Sequence, residues 1–226
     1  MAVEFESTSL RADANLTHYW RLSNAVDGPG TADLTNVGTT TFTSGKFDNA
    51  ATFNGTSQAL HTTGTTVDAN GAADRAFSFW FKVGNQPSNE NQTIFAWGDE
   101  VRSILIRYND SGGTKAFQMI DGNTMTVSYT ETLTAGQWYN IVVSYDTTSK
   151  DYSWWRDGIA LTTGTSSAPA PGYTPFSLGN LQEITAQYFD GQIDDVAWFT
   201  RELTQADVNI INGITTSTPS GNFAFL

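Results

Sequence analysis

Ala76-Phe-Ser-Phe-Trp-Phe-Lys-Val83 is the stretch that decides the fold. Phe77, Phe79, Phe81 and Val83 fall on one alternation, with Ser78, Trp80 and Lys82 on the other. A two-residue period belongs to a β-strand, because successive side chains leave opposite faces of the pleat. One face of this strand is therefore expected in a core, and the other against a second layer or water.

Working outward, Ile104–Tyr108, Ala116–Ile120, Thr124–Tyr129 and Tyr139–Tyr145 are further short runs rich in β-branched and aromatic residues. Between such runs lie Asn54-Gly55, Asn70-Gly71, Asp121-Gly122, Asp157-Gly158 and Asp190-Gly191. These pairs tolerate the positive φ that tight turns between antiparallel strands require, so each is expected to be a turn. Many short strands punctuated in this way predict an all-β, antiparallel two-sheet jelly-roll sandwich. One short helix is expected near Thr204–Asn212. Thr204 caps it with Asp207 as capping-box partner, Leu203 and Val208 form a hydrophobic staple, and Gly213 sits at the C′ position.

Composition narrows the function. With 226 residues the chain is long enough for one large core, and it contains no cysteine. That excludes a disulfide framework, thiolate zinc sites and cysteine nucleophiles together. Its 11 basic against 23 acidic residues argue against nucleic acid, whose phosphates need clustered Lys and Arg. No segment approaches the roughly 18 apolar residues of a membrane span, so membrane insertion is not expected. The opening Met1-Ala-Val-Glu-Phe-Glu6 lacks the apolar run of a signal peptide.

Several segments, taken together and in order, resemble the laminin-G-like jelly roll of the concanavalin A-like lectin/glucanase superfamily. They are Tyr19–Gly30 (YWRLSNAVDGPG), Ser44–Leu60 (SGKFDNAATFNGTSQAL), Ala76–Val83, Gly136–Asp146 (GQWYNIVVSYD), Ser153–Leu161 (SWWRDGIAL) and Gly191–Thr204 (GQIDDVAWFTRELT). Asp48 stands where the family usually has glycine. The resemblance divides the chain into an N-terminal segment 1–14, a jelly roll 15–213 and a C-terminal tail 214–226. It also implies a calcium ion held between the opening loop at Asp27 and the closing strand at Asp194 and Asp195. The superfamily holds lectins, adhesive modules, glycanases and virion proteins, so fold alone does not choose among them.

A retaining glycanase needs two carboxylates about 5–5.5 Å apart in one cleft. The nearest run, Asp190-Gly-Gln-Ile-Asp194-Asp195, has no Glu, and strict alternation would send Asp194 and Asp195 to opposite faces. No Gly-x-Ser-x-Gly elbow is present, and the two histidines, His18 and His61, are too few for a histidine metal site. The chain is therefore expected not to be an enzyme. For sugar binding, an aromatic face against the apolar face of a pyranose is the useful chemistry, and Trp97, Tyr152 and Trp154 are the candidates. Phe223, Phe225 and Leu226, after a Thr/Ser/Pro/Gly spacer, are expected to dock on a neighbouring subunit. These expectations add up to a binding or structural module displayed on a virion or other extracellular surface, its partners being glycans, particle subunits or both. The alternatives are a free lectin or carbohydrate-binding module of a secreted protein and, from a different class, a glycan hydrolase.

Overall fold

The computed structural model describes residues 4–63, 67, 74–85, 90–98, 103–121, 124–165, 176–182 and 186–214. The strands in chain order are β1 (Leu16–Trp20), β2 (Leu34–Val37), β3 (Thr41–Ser44), β4 (Asn49–Asn54), β5 (Ala59–Thr62), β6 (Arg75–Val83), β7 (Asn91–Gly98) and β8 (Ser103–Ser111). They continue as β9 (Thr114–Asp121), β10 (Thr124–Thr130), β11 (Trp138–Tyr145), β12 (Asp151–Arg156), β13 (Ile159–Thr165), β14 (Phe176–Leu178) and β15 (Asp190–Phe199), followed by helix α1 (Gln205–Ile211). One antiparallel sheet runs β13-β12-β11-β6-β15-β4-β3. Strand β15 is long enough to pair β4 along its first half and β1 along its second, which makes eight strands. The facing sheet has seven, in the order β10-β9-β8-β7-β14-β5-β2.

The expected alternation in β6 holds. Phe77, Phe79, Phe81 and Val83 all enter the main core between the sheets. There Phe77 stacks on Phe95 of β7 at 4.3 Å between ring centroids, and Phe79 stacks on the same ring at 5.6 Å. Burying each such ring is worth roughly 1.5–3 kcal/mol, so aromatic burial dominates this interior.

The opposite face of the eight-stranded sheet is not left to water. Ala76, Val142, Trp155, Ala197 and Phe199 form a second cluster with Phe5 and Leu10 from two 3-10 turns, Phe5–Ser7 and Ser9–Ala12, and with Val208 and Ile211 of α1. Of the N-terminal segment set apart as 1–14, the described residues 4–14 are built into the domain, because Phe5 and Leu10 cover strands that would otherwise be wet. Helix α1 begins as expected. Thr204 accepts from the Asp207 amide and the Asp207 carboxylate accepts from the Thr204 amide, while Gly213 takes φ +64°.

Asn54-Gly55 turns β4 into β5, and Asp157-Gly158, with φ of 52° and 85°, turns β12 into β13. Asp190-Gly191 does not turn. It opens β15, and its glycine is required by close approach, since a Cβ there would collide with the Lys82 carbonyl oxygen and the Phe189 ring. Asn70-Gly71 and Gly122 fall outside the described residues, as do Phe223, Phe225 and Leu226. No helix among the described residues is long and apolar enough to cross a membrane.

Candidate functional site

The acidic candidates come first, because they carry both the calcium and the hydrolase questions. Asp194 and Asp195 do not leave opposite faces. A β-bulge lies between Asp194 and Ala197, with Asp195 at φ +52°. Ile193 and Val196 both point into the main core, so the extra residue places the two carboxylates together on the outer face. Both are closed to solvent, at 1% and 2% exposure. Asp194 accepts the backbone N–H of Lys46 (2.8 Å) and of Phe47 (3.3 Å), which pins the β3–β4 loop. Asp195 accepts the Phe5 N–H (2.8 Å) and the Tyr19 hydroxyl, which pins the N-terminal segment. Burial, then the neighbouring Asp195 charge, pushes Asp194 up to about 7. Burial likewise pushes Asp195 up to about 6, against the hydrogen bonds from Tyr19 and Phe5. Burial and the Asp195 carboxylate raise the Tyr19 phenol.

Asp27 belongs to a separate network. It accepts from the Tyr19, Gly30 and Ala32 amides at 3.0, 3.2 and 3.0 Å, and pairs with His18 Nδ1 at 2.5 Å. Burial works against its charge, but these bonds outweigh it and hold the carboxyl below the usual range. Tyr19 stands between the two carboxylates and bonds to each from a different end, its amide on Asp27 and its phenol on Asp195. The calcium expectation therefore does not fit these donors. The three carboxylates are not gathered on one point, and each is occupied by protein N–H, O–H or imidazole donors. Among the described residues no group of three His, Cys, Asp or Glu side chains could hold a metal.

The aromatic candidates are corrected in the same way. Trp97, Tyr152 and Trp154 are 0%, 1% and 1% exposed and all belong to the main core. Trp154 meets Phe117 edge-on at 5.7 Å, and Trp97 meets Trp198 edge-on at 5.0 Å. None of them offers a ring face to a ligand. The reason is the sandwich itself: strands covered on both faces bury aromatics whichever way they point.

What the hairpin does provide is a cleft. Ser153 pairs with Thr163 and Trp155 with Ala160, so Leu161 and Thr162 together oppose Trp154. This bulge parts β12 from β13 and leaves a cavity of about 370 Å³ lined by Ser153, Trp154, Trp155, Ala160, Leu161 and Thr163. Trp155 is fixed there by its indole N–H, which donates to Gln205 Oε1 of α1 at 2.8 Å. Among the described residues that line it, the walls are indole and aliphatic, two side chains carry hydroxyls, and none is charged. A second cleft, of about 220 Å³, lies between the N-terminal segment and the opening loop. Its charges are already matched, Arg11 with Glu6 at 3.0 Å and Arg21 with Glu4 at 2.5 Å. Sequence reasoning singled out Trp154 of β12 but missed Leu161 and Thr163. Only cross-strand register reveals the bulge, and no local signal in β13 announces it.

With this geometry in hand, comparison with known proteins is informative. The sequence model of a laminin-G family, described as concanavalin A-like lectin/glucanases superfamily, matches residues 53–209. No functionally curated protein matches the chain. Among solved structures, domain 4 of AbnA, a GH43 extracellular arabinanase from Geobacillus stearothermophilus, in complex with arabinotriose, superposes with a TM-score of 0.67 at 19% identity. That match covers 88% of this chain and 98% of the arabinanase domain. The binding domain of botulinum neurotoxin serotype D gives 0.69 at 13% identity, and that of Paraclostridial Mosquitocidal Protein 1 gives 0.66 at 13%. Each toxin match covers 88% of this chain but only about half of the toxin chain, 51% and 52%. At these identities the likeness is one of fold.

Proposed function

We propose that this chain, which belongs to the concanavalin A-like lectin/glucanases superfamily, is a non-catalytic carbohydrate-binding module that takes a short neutral glycan in the β12–β13 cleft. The observation that carries the reading is the cleft itself: about 370 Å³, bounded by the Trp155 indole and the apolar groups of Ala160 and Leu161, rimmed by the Ser153 and Thr163 hydroxyls, and without a charged side chain among the described residues that line it. Carbon-bound hydrogens on one face of a pyranose or furanose suit such a wall, and hydroxyls at the rim fix its orientation. The arabinotriose complex of the arabinanase domain supports the ligand class. The absence of catalysis is part of the same proposal. Asp194 and Asp195, adjacent in the chain, are buried and hydrogen-bonded on the outer face and do not line this cleft.

The test is calorimetric titration with arabino-, xylo- and gluco-oligosaccharides, repeated on the Ala160→Trp variant. Ala160 is exposed, so the new indole fills the cleft without entering the core. Binding by the parent and at least a tenfold loss in the variant, at unchanged melting temperature, is the expected result. Equal binding by both proteins would remove the cleft from consideration.

A second reading, attachment to a particle or a neighbouring subunit, is favoured by one observation. Ile159, Ile210 and Ile214 are 68%, 37% and 43% exposed at the end of α1 and the β12–β13 turn, where a Cβ on Gly158 would strike Ile214. Display on a virion, with docking through Phe223, Phe225 and Leu226, is the form this proposal takes.

A further inference from the structure

The outer face of the eight-stranded sheet carries a second surface that the glycan cleft does not use. Arg11, Arg21, Lys115, Arg156 and Arg201 each have a carboxylate partner. Lys46 and Lys82 have none among the described residues. Each lies instead over an indole, Lys46 Nζ at 4.3 Å from the Trp80 ring centroid and Lys82 Nζ at 5.1 Å from that of Trp138. Register brings these groups together, since Lys82 lies opposite Trp138 of β11 on one side and Gln192 of β15 on the other, while Trp80 is two residues along β6. Residues two apart on a strand stand about 7 Å apart on one face.

The platform is built rather than accidental. Asp194 holds the backbone of Lys46 and Phe47, and the Phe47 ring meets Trp80 edge-on at 5.7 Å, so Lys46 is positioned from below. Gln192 is 8% exposed, and its Nε2 is spent on Thr43 Oγ1, the Ser44 carbonyl and Thr52 Oγ1. Its Oε1, buried beside Lys82, has no hydrogen-bond partner. A buried acceptor without a donor is costly and points to a ligand that supplies one. The neighbouring carboxylates do not claim the lysines. Asp157 accepts the Asn140 N–H and pairs with Arg156, and Asp194 is occupied by two amides.

We propose that this platform binds an acidic sugar, whose carboxylate or sulfate meets Lys46 and Lys82 and whose hydroxyl donates to Gln192 Oε1. A bare inorganic anion would leave Oε1 unmet. A polynucleotide would need far more cations than two on a chain of net charge −12. The two lysines are ordered in advance by the indoles beneath them, which lowers the entropy lost on binding.

The experiment titrates the full chain with oligogalacturonate and with a sulfated oligosaccharide, against a neutral oligosaccharide of the same length and against sodium sulfate and acetate. Calorimetry and tryptophan fluorescence, to which Trp80 and Trp138 contribute, are the readouts. Binding of an acidic sugar that weakens roughly fivefold or more in Lys46→Gln and in Lys82→Gln, falls with added salt and persists in Ala160→Trp is the expected result. The oligogalacturonate and sulfated arms tell which acid group is recognised. Acidic and neutral sugars binding equally, the two lysine variants binding like the parent, or sulfate ion alone binding as tightly as the acidic sugars would each overturn the proposal. Loss of acidic-sugar binding in Ala160→Trp would overturn it as well, by placing the ligand in the neutral cleft. Whether the cleft takes a neutral glycan is read separately, from the neutral arm and its loss in Ala160→Trp.

Discussion

The two faces of the eight-stranded sheet come from the same strands and are almost equally dry, yet they are built from different chemistry. The inner face of β6 and β15 presents Phe77, Phe79, Phe81, Ile193, Val196 and Trp198 to the opposite sheet. The outer face presents Ser78, Trp80, Lys82, Gln192, Asp194 and Asp195, most of them also buried. Inside, burial is favourable by itself and register follows from the period of two. Outside, burial of the two carboxylates is tolerated because each finds partners: Phe5 and Tyr19 for Asp195, and the β3–β4 loop for Asp194. The inner face specifies the sandwich. The outer face specifies which segments close over it and which part stays open to a ligand.

The largest expected effect breaks the inner face. Phe79 is fully buried and sits against Phe95 and Phe81. Phe79→Ala should cost about 3–5 kcal/mol in urea unfolding, through lost transfer energy and the cavity left behind. A cost under 1 kcal/mol would mean that the aromatic stack does not hold the sheets together. Phe5→Ala tests the outer face by the same measurement. Phe5 packs at 5.0 Å on Tyr19 and 5.9 Å on Phe199, but from a short 3-10 turn rather than from within a sheet. A smaller loss, roughly 1.5–3 kcal/mol, is expected. Equal losses in the two variants would erase the difference between the faces.

The same contrast explains what was legible in the sequence. The inner face follows from alternation alone, as Phe77, Phe79, Phe81 and Val83 show, and α1 follows from Thr204, Asp207 and Gly213, because both are local patterns. The outer face rests on long-range facts. Nothing near Phe5 signals that its amide meets Asp195, 190 residues away. The bulge that turns Asp194 and Asp195 to one side is a backbone choice at Asp195 with no compositional mark. Trp97, Tyr152 and Trp154 misled for a related reason, since aromatic residues suit a sugar and a core equally well. The Lys46 platform did leave a trace, in a short Gly45-Lys-Phe-Asp48 hairpin loop between two strands. Reading it required knowing that Trp80 lies beneath.

The smallest expected effect separates the faces by pH. Asp194 and Asp195 are raised in the folded chain to about 7 and about 6, from an ordinary 3.8. A carboxyl raised by folding binds its proton more tightly in the native state than in the unfolded one. Its contribution to stability is therefore complete below about 4 and is lost as pH climbs through 6 to 7. Asp13, Asp27 and Asp207 are lowered by folding and act in the opposite sense, but only below about pH 4. His61, lowered by burial, also opposes the aspartate pair, and its effect fades as pH rises past about 6.5. Between pH 6.5 and about 7.5 the remaining slope belongs chiefly to Asp194, and the melting temperature should fall as pH rises and then level off. In Asp195→Asn the amide oxygen can still accept from Phe5, and its N–H₂ can donate to the Tyr19 hydroxyl. The variant removes one buried charge and the repulsion felt by Asp194 without emptying the site. It should be more stable than the parent at pH 8, by on the order of 1 kcal/mol, and the gap should narrow toward pH 5. Parallel melting curves for the two proteins across this range would show that the outer face carries no charge penalty, and that the two faces differ in composition but not in energetics.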